Sequence, residues 1–340
     1  MMKNAIRWAG LAAFLLCGAA QAEDWAKPLF DGFDGSDFSP AGGLYYRENF
    51  EQSAGTVEFQ KAVKLSGAGA LKLSVKALCP TDDDGCSERA EIWEKTALRV
   101  PYDQGVWYGF AVKFGDPIPI DDHRYLIAQW KREIIPGAEG DFSPFLALRL
   151  RNGKLFATVE TNYVAPDASA QTEDSSSCCG GKMQLSPQHA SAQTDEAGCP
   201  EGAAPVWFRP ETNQMRALVA TDSAWTAEDN DLYHGCTKAI RVIDHGNKLP
   251  LPSSGWIDFE VFTKPGPDGT GRIEIFANDK PVVTVEGHIG HADHGLGNNQ
   301  YFKFGPYRAG HSDDWTLYYD HFRRSPHCAD VLSEGSCPLP

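Results

Sequence analysis

Apolar and polar residues alternate with a period of two through most of this chain. That is the spacing of a strand with one face buried. The pattern predicts strands at Thr56–Lys61, Ala70–Lys76, Arg89–Glu94, Trp107–Phe114, Tyr125–Lys131, Phe145–Arg151, Lys154–Thr161, Trp256–Thr263, Arg272–Ala277, Pro281–Val285, Tyr301–Tyr307 and Thr316–Arg323. Asn152-Gly153 between two of them is a strong hairpin signal, and Asn278-Asp279 a weaker one. Long amphipathic helical patterns are scarce. Many short strands separated by turns predict an all-β fold, a sandwich or jelly roll of two antiparallel sheets.

Residues 165 to 205 interrupt the alternation and are rich in Ala, Ser, Gln, Gly and Cys. They read as a disulfide-tied loop insertion continuing to residue 251, within one domain that spans residues 23–340. There is no internal repeat and no linker composition. The first 22 residues have the form of a secretory signal: Lys3 and Arg7, the apolar run Ala9–Ala19, then Ala20-Gln21-Ala22 before Glu23. The apolar run is too short to span a bilayer stably. Leu16 before Cys17 is a poor lipoprotein site, so free secretion or a periplasmic location is expected. No later stretch is long and apolar enough for a membrane helix, so no membrane partner is expected after cleavage.

Cys17 falls in that leader. The other cysteines are an even set, Cys79, Cys86, Cys178, Cys179, Cys199, Cys236, Cys328 and Cys337, which in an exported chain predicts disulfides. Cys79–Cys86 and Cys328–Cys337 are the local pairs. Cys178 and Cys179 would then pair with Cys199 and Cys236, in either order. No CxxC spacing occurs. The formal charge is −15, and it becomes more negative without Lys3 and Arg7. This argues against nucleic acid as a partner but permits an anionic substrate in a locally basic cleft.

Three segments carry candidate chemistry. On the strand Tyr301–Arg308, Tyr301, Lys303, Gly305 and Tyr307 share one face, opposite Phe302, Phe304, Pro306 and Arg308. On Ser87–Lys95, Arg89, Glu91 and Trp93 share a face. On His123–Glu133, strict alternation groups His123, Tyr125, Ile127, Gln129 and Lys131. Each alone reads as the polar face of a half-exposed strand. Together they suit β-elimination from a uronic acid. Arginine, lysine and an amide can hold and neutralise the carboxylate, which acidifies the C5 proton. A phenol near cations can act as base, and the same or a second phenol can protonate the leaving oxygen. Gly305 would leave room for the sugar.

The segments Arg89-Ala-Glu91, Gln129-Trp-Lys131 and Tyr301-Phe-Lys303-Phe-Gly305-Pro-Tyr307 resemble the three signature strands of jelly-roll alginate lyases. More widely the chain resembles the heparin lyase I-like group, which includes glucuronan lyases. The resemblance spans most of the chain but is sparse from about 165 to 250. It implies a concanavalin-like jelly roll and a polysaccharide lyase. Gln129 and Arg89 would neutralise the uronate, Tyr307 would be the catalytic phenol with Lys303 as its cationic neighbour, and Tyr301 is the second choice. Where the family has histidine, this chain has Lys131. Lysine can neutralise a carboxylate, but at an unperturbed pKa of ~10.4 it is a poor base at neutral pH. Glu91, Trp93, His123, Tyr125 and Arg308 are assigned to substrate binding. An anionic polysaccharide is the expected partner and a monomer the expected state.

The same residues allow two other readings. A lectin-like module on the same fold would bind without cleaving. A glycoside hydrolase needs two carboxylates on one face. Asp258 and Glu260 share parity but lie opposite Ile257, Phe259 and Val261, as on a solvated outer face. The histidines of Gly287–Gly297 (His288, His291 and His294) read as a groove-lining or surface loop in preference to a metal site. Some relatives bind Ca2+, and the acidic stretch Asp31–Asp37 is the place for it here, without the spacing of a full calcium loop.

Overall fold

The computed structural model describes residues 24–36, 45–46, 54–80, 86–138, 143–162, 199–209, 214–292 and 295–338. Its strands are β1 (Leu29–Asp31), β2 (Tyr45–Tyr46), β3 (Gly55–Gln60), β4 (Ala70–Val75), β5 (Ser87–Arg89), β6 (Ile92–Glu94), β7 (Val100–Pro101), β8 (Val106–Phe114), β9 (Tyr125–Ile134), β10 (Leu146–Arg151), β11 (Lys154–Thr161), β12 (Ala203–Arg209), β13 (Gln214–Thr221), β14 (Gly235–Asp244), β15 (Trp256–Lys264), β16 (Gly266–Ala277), β17 (Lys280–Ile289), β18 (Leu296–Ala309) and β19 (Trp315–Ser325).

They form an antiparallel jelly roll. One sheet runs β3–β4–β19–β8–β15–β16–β17, with β1 beside β19. The other runs β14–β12–β13–β11–β10–β9–β18, and β18 takes β5, β6 and β7 in turn along its far edge. A β14–β17 ladder joins the two sheets on one side. Alternation explains the core between them. Leu71 and Leu73, Phe110 and Val112, and Phe259 and Val261 point inward from the first sheet. They meet Leu146 and Leu148, Ala157 and Val159, Trp130, Phe302 and Phe304 from the second. Phe302 sits 4.7 Å from Trp130 and 5.4 Å from Phe110, centroid to centroid. Burial of each such side chain contributes roughly 1.5–3 kcal/mol.

Eleven of the twelve strands expected from alternation are present, with ends shifted by a few residues, whereas the expected strand Arg89–Glu94 is divided between β5 and β6 with Glu91 between them. The expected insertion is narrower than 165–251, because β12, β13 and β14 fall inside that span and are ladder strands of the second sheet. Their inward positions are partly small, Ala204 and Ala217 beside Val206 and Ile240, which weakens the apolar signal. Cys79–Cys86 and Cys328–Cys337 form as expected, but Cys199 and Cys236 bond to each other, tying the approach to β12 to the start of β14, and not to Cys178 and Cys179 as the sequence suggests. Cys178, Cys179, His294 and the leader lie outside the described residues.

On the outer face of the first sheet, Asp258 and Glu260 are not simply solvated. Glu260 is 1 % exposed. Arg323 Nη2 lies 2.7 Å from Asp258 and 3.9 Å from Glu260. The C-terminal segment closes over them, with the Ser333 hydroxyl donating to Asp279 at 2.7 Å. Burial, then the charges of Asp258 and Asp279, push the Glu260 carboxyl up to about 8. A raised carboxyl holds its proton in the folded state where the unfolded chain has lost it. Folding stability therefore falls as pH rises from the ordinary carboxyl range through about 8. Glu260→Gln is expected to flatten that fall, read as urea midpoints at pH values on either side of this window. An unchanged slope would refute the assignment.

Candidate functional site

β18 stands at the centre of the concave face, with β9 on one side and β5–β7 on the other. Lys303 is paired with Gln129 on β9 and Trp93 on β6, Tyr301 with Lys131, and Tyr307 with Arg89 on β5. The three sequence segments are thus brought together. Gly305 has φ +125°, and a Cβ there would collide with the Ala90 carbonyl oxygen. Only glycine fits this backbone and this close approach.

The same place is a step in register. Phe304 opposes Ala128, yet Tyr307 opposes Leu126, and β9 makes its own step against β10 between Ala128 and Leu126. A bulge reverses the parity of what lies beyond it. Ile127 and Tyr125 therefore turn into the core together with Ala128 and Trp130. Two expected groove residues lie elsewhere, Tyr125 through this reversal and Arg308 through its own alternation with Phe302 and Phe304. Tyr125 is 1 % exposed, its ring 4.9 Å from Trp315, its hydroxyl donating to Asp121 at 3.2 Å. Arg308 is buried on the core side, its Nε donating to Glu88 at 2.6 Å. His123 lies off the Gln129–Lys131 row, its Nε2 2.9 Å from the Gly310 carbonyl and its ring 5.4 Å from that of His311.

What the bulge removes it also replaces. Arg124 comes onto the face, with its guanidinium 5.1 Å from the Tyr307 ring centroid. Arg89 covers the same ring at 4.1 Å. Tyr307 is partly exposed, whereas Tyr301 is buried, stacked on Trp93 at 5.4 Å with Arg99 at 4.8 Å.

Beneath them Glu91 accepts from both Lys303 Nζ, at 2.8 Å, and the Gln129 amide. Lys303 also lies 4.3 Å from the Trp93 ring. Burial opposes ionisation of Glu91, but Lys303 and Arg89 outweigh it and hold the carboxyl below its usual range. Burial lowers Lys303 to about 8, with Lys131 adding repulsion against the pull of Glu91. The Lys303 charge is therefore balanced from below by a carboxylate, and Gln129 is engaged by the same group. The face retains positive character through Arg89, Arg124 and Lys131.

Alternation alone missed Arg124, and it left unremarked the next strands of the face. Ala147, Arg149 and Arg151 share parity on β10, as do Phe156, Thr158 and Glu160 on β11. Arg149 Nε donates to the Thr158 hydroxyl at 2.9 Å, and Arg216 donates to Glu160.

Among the described residues no group of three His, Cys, Asp or Glu side chains is placed to hold a metal ion. His288 and His291 bond the carbonyls of Pro267 and Ser143. In the acidic stretch, Asp31 Oδ2 is buried without a hydrogen-bond partner, and burial raises its carboxyl to about 6. The nearby Asp320 accepts from Leu65 N at 2.9 Å, and Asp34 from Gly69 N at 3.0 Å. These residues do not make a three-carboxylate calcium cage.

A family model described as "Polysaccharide lyase" matches residues 36–323. Among solved structures the chain is similar to an endo-beta-1,4-glucuronan lyase from the fungus Trichoderma reesei, at 15 % identity over 90 % of this chain and 97 % of that one, with a TM-score of 0.51. It is also similar to a cellulose-induced protein, Cip1 (14 % identity, 88 % and 97 % coverage, TM-score 0.43), and to alginate lyase AlyC3 (13 %, 75 % and 74 %, 0.37). At these identities the likeness is one of fold. Among curated proteins none matches the chain in sequence.

Proposed function

Because the chain belongs to the polysaccharide lyase family, we propose that it cleaves an anionic, uronic-acid-containing polysaccharide by β-elimination on this concave face, with Tyr307 as the catalytic phenol. The observation that carries the reading is a partly exposed phenol set between two guanidiniums, Arg89 at 4.1 Å and Arg124 at 5.1 Å. Arg89, Arg124 and Lys131 would neutralise the uronate carboxylate, which stabilises the carbanion formed at C5. The Tyr307 oxygen would take the C5 proton, and the negative charge passing through the phenol is stabilised by the same cations. As the C4–O bond breaks, its electron pair leaves with the glycosidic oxygen, the pair on C5 forms the C4–C5 double bond, and the leaving oxygen takes from Tyr307 the proton removed from C5. Glu91, Lys303 and Gln129 would form the rigid floor that sets these groups, with Trp93 beside them.

Dense Lys/Arg clusters are few, which supports an unsulfated polyuronate over a heavily sulfated polymer. The three disulfides among the described residues support export through the leader, to the periplasm or medium, as one domain. The test is ultraviolet absorbance of unsaturated uronate as purified protein meets glucuronan, both alginate block types, hyaluronan, chondroitin and heparin. A rise on an unsulfated uronan is expected. Binding without any rise would replace the lyase with a lectin, and faster turnover of heparin would overturn the substrate class.

A further inference from the structure

We propose that the corner of the sandwich beside β13 and β14 holds a pocket for one uncharged pyranose, away from the cleavage row and unlike it in chemistry. The pocket does not require the elimination described above, since a lyase and a lectin could use it alike.

The topology opens the pocket. β14 begins beside β12 and then leaves it, and Ile240–Asp244 pair with β17 of the other sheet. β13 carries a bulge: Ala220 opposes Ala157 and Leu218 opposes Thr158, so Val219 is the extra residue. A cavity of about 260 Å³ lies where these strands part. Its floor is apolar, made by Leu218, Val219 and Ala220 of β13 with Val242 of β14 and Val282 of β17. From β18 to β13 is four strand steps, through β9, β10 and β11. The pocket therefore stands roughly 20 Å from Tyr307, at ~4.8 Å per strand.

The rim supplies what a sugar needs. Trp225 is partly exposed and lines the cavity, its ring backed by Phe156 at 5.0 Å. An indole can take the C–H face of a pyranose. Its N–H donates to the Asn230 amide oxygen at 3.0 Å, which fixes that amide and leaves its NH2 as a donor. The Asn247 NH2 donates to the Pro281 carbonyl at 2.8 Å, which leaves its Oδ1 as an acceptor. Ring hydroxyls both donate and accept, so they suit one fixed donor and one fixed acceptor.

Charge argues against a uronate here. Asp244 and Lys248 are exposed on the rim with Oδ2 and Nζ 3.8 Å apart. Their charges cancel, and at that spacing both keep hydrogen-bonding capacity for hydroxyls. No other charged side chain among the described residues lines the cavity. An incoming carboxylate would meet Asp244 together with Lys248, whereas the cleavage face offers Arg89, Arg124 and Lys131. The volume lies at the small end for ligand pockets, so it takes one ring.

Saturation-transfer NMR tests this with methyl glycosides of glucose, mannose and galactose, and with methyl glucuronoside. At least one neutral glycoside should bind with a Kd of about 1 mM, the scale for a ligand of one ring. Trp225→Ala should abolish that binding. Asp244→Ala combined with Lys248→Ala alters only exposed side chains and keeps the net charge. It should weaken the neutral glycoside about fivefold or more, and this arm stands even if Trp225→Ala does not fold. Methyl glucuronoside, which the cleavage face can take, should bind parent and variants equally. Elimination of a polyuronate should also be equal in all three. The trisaccharide of the sugar that binds distinguishes a residue within a polymer, if it is held, from a free sugar, if it is refused; either keeps the pocket. Absence of neutral-glycoside binding overturns the proposal. So does neutral binding that both variants leave intact, or glucuronoside binding that falls with the neutral binding in the variants. Elimination alongside any of these leaves the lyase reading standing alone. Neutral-sugar binding lost in the variants, without elimination of any polymer, keeps the pocket and overturns the lyase.

Discussion

Tyr307→Phe is expected to lower elimination by about a hundredfold to ten-thousandfold, the usual contribution of a general acid–base group, with binding of the polyuronate nearly unchanged. The substitution deletes one oxygen from a partly exposed ring and leaves the stacking of Arg89 and Arg124 in place. Circular dichroism and the urea midpoint should match the parent, because the backbone pairs of Tyr307 with Arg89 and Leu126 do not involve its hydroxyl. Tyr301→Phe is the control. That ring is buried between Trp93 and Arg99, so its loss should leave the rate within a small factor. The opposite ranking of the two variants would move the chemistry to Tyr301.

The second large effect is on stability. Lys303 and Glu91 are both buried and 2.8 Å apart. Removal of one partner from such a pair typically costs about 3–5 kcal/mol, because the other charge stays buried without it. Lys303→Met should show this in full, since the stranded Glu91 loses its closest cation and Arg89 is more distant. Glu91→Gln should cost less. Burial already lowers Lys303 to about 8, so the ammonium can escape by losing its proton. Without Glu91 to raise it, the folded Lys303 pKa of the variant falls below the parent's value of about 8, and between the two only the variant releases its proton on folding, so only its stability rises with pH there. The Glu91→Gln deficit should therefore shrink between pH 6 and 8, and the Lys303→Met deficit should not. Urea titrations at both pH values decide this. Equal deficits with equal pH dependence would mean that the pair does not carry its charge as described.

The sequence showed the fold wherever large apolar residues alternate. Lys154–Thr161 matches β11 residue for residue. It failed in β12 and β13, where Ala204 and Ala217 fill inward positions that elsewhere hold Leu or Phe. At the site, three segments of matching parity were enough to place Arg89, Glu91, Gln129, Lys131, Lys303 and Tyr307 on one face. Period-two counting cannot see a bulge, so it put Tyr125 in the groove and Arg124 outside, the reverse of their positions. The cue was Gly305, a residue that strands otherwise avoid, but a glycine says that the backbone bends and not which neighbour it turns over. Glu91 was legible as an ionic residue near Arg89. That its closest partners would be Lys303 and Gln129 required the register of three strands.

β18 is paired on both long edges and is buried along most of its length. Its amides should accordingly be among the slowest in the molecule to exchange with deuterium, opening only when the whole sandwich opens. Heat inactivation would then have no separate early stage at this strand. Loss of activity and loss of the near-ultraviolet tertiary signal should follow one curve, so that residual turnover can serve as a direct gauge of the folded fraction. A store of protein held below its melting transition would lose activity by leaving the folded pool, not by passing through a folded but inactive form.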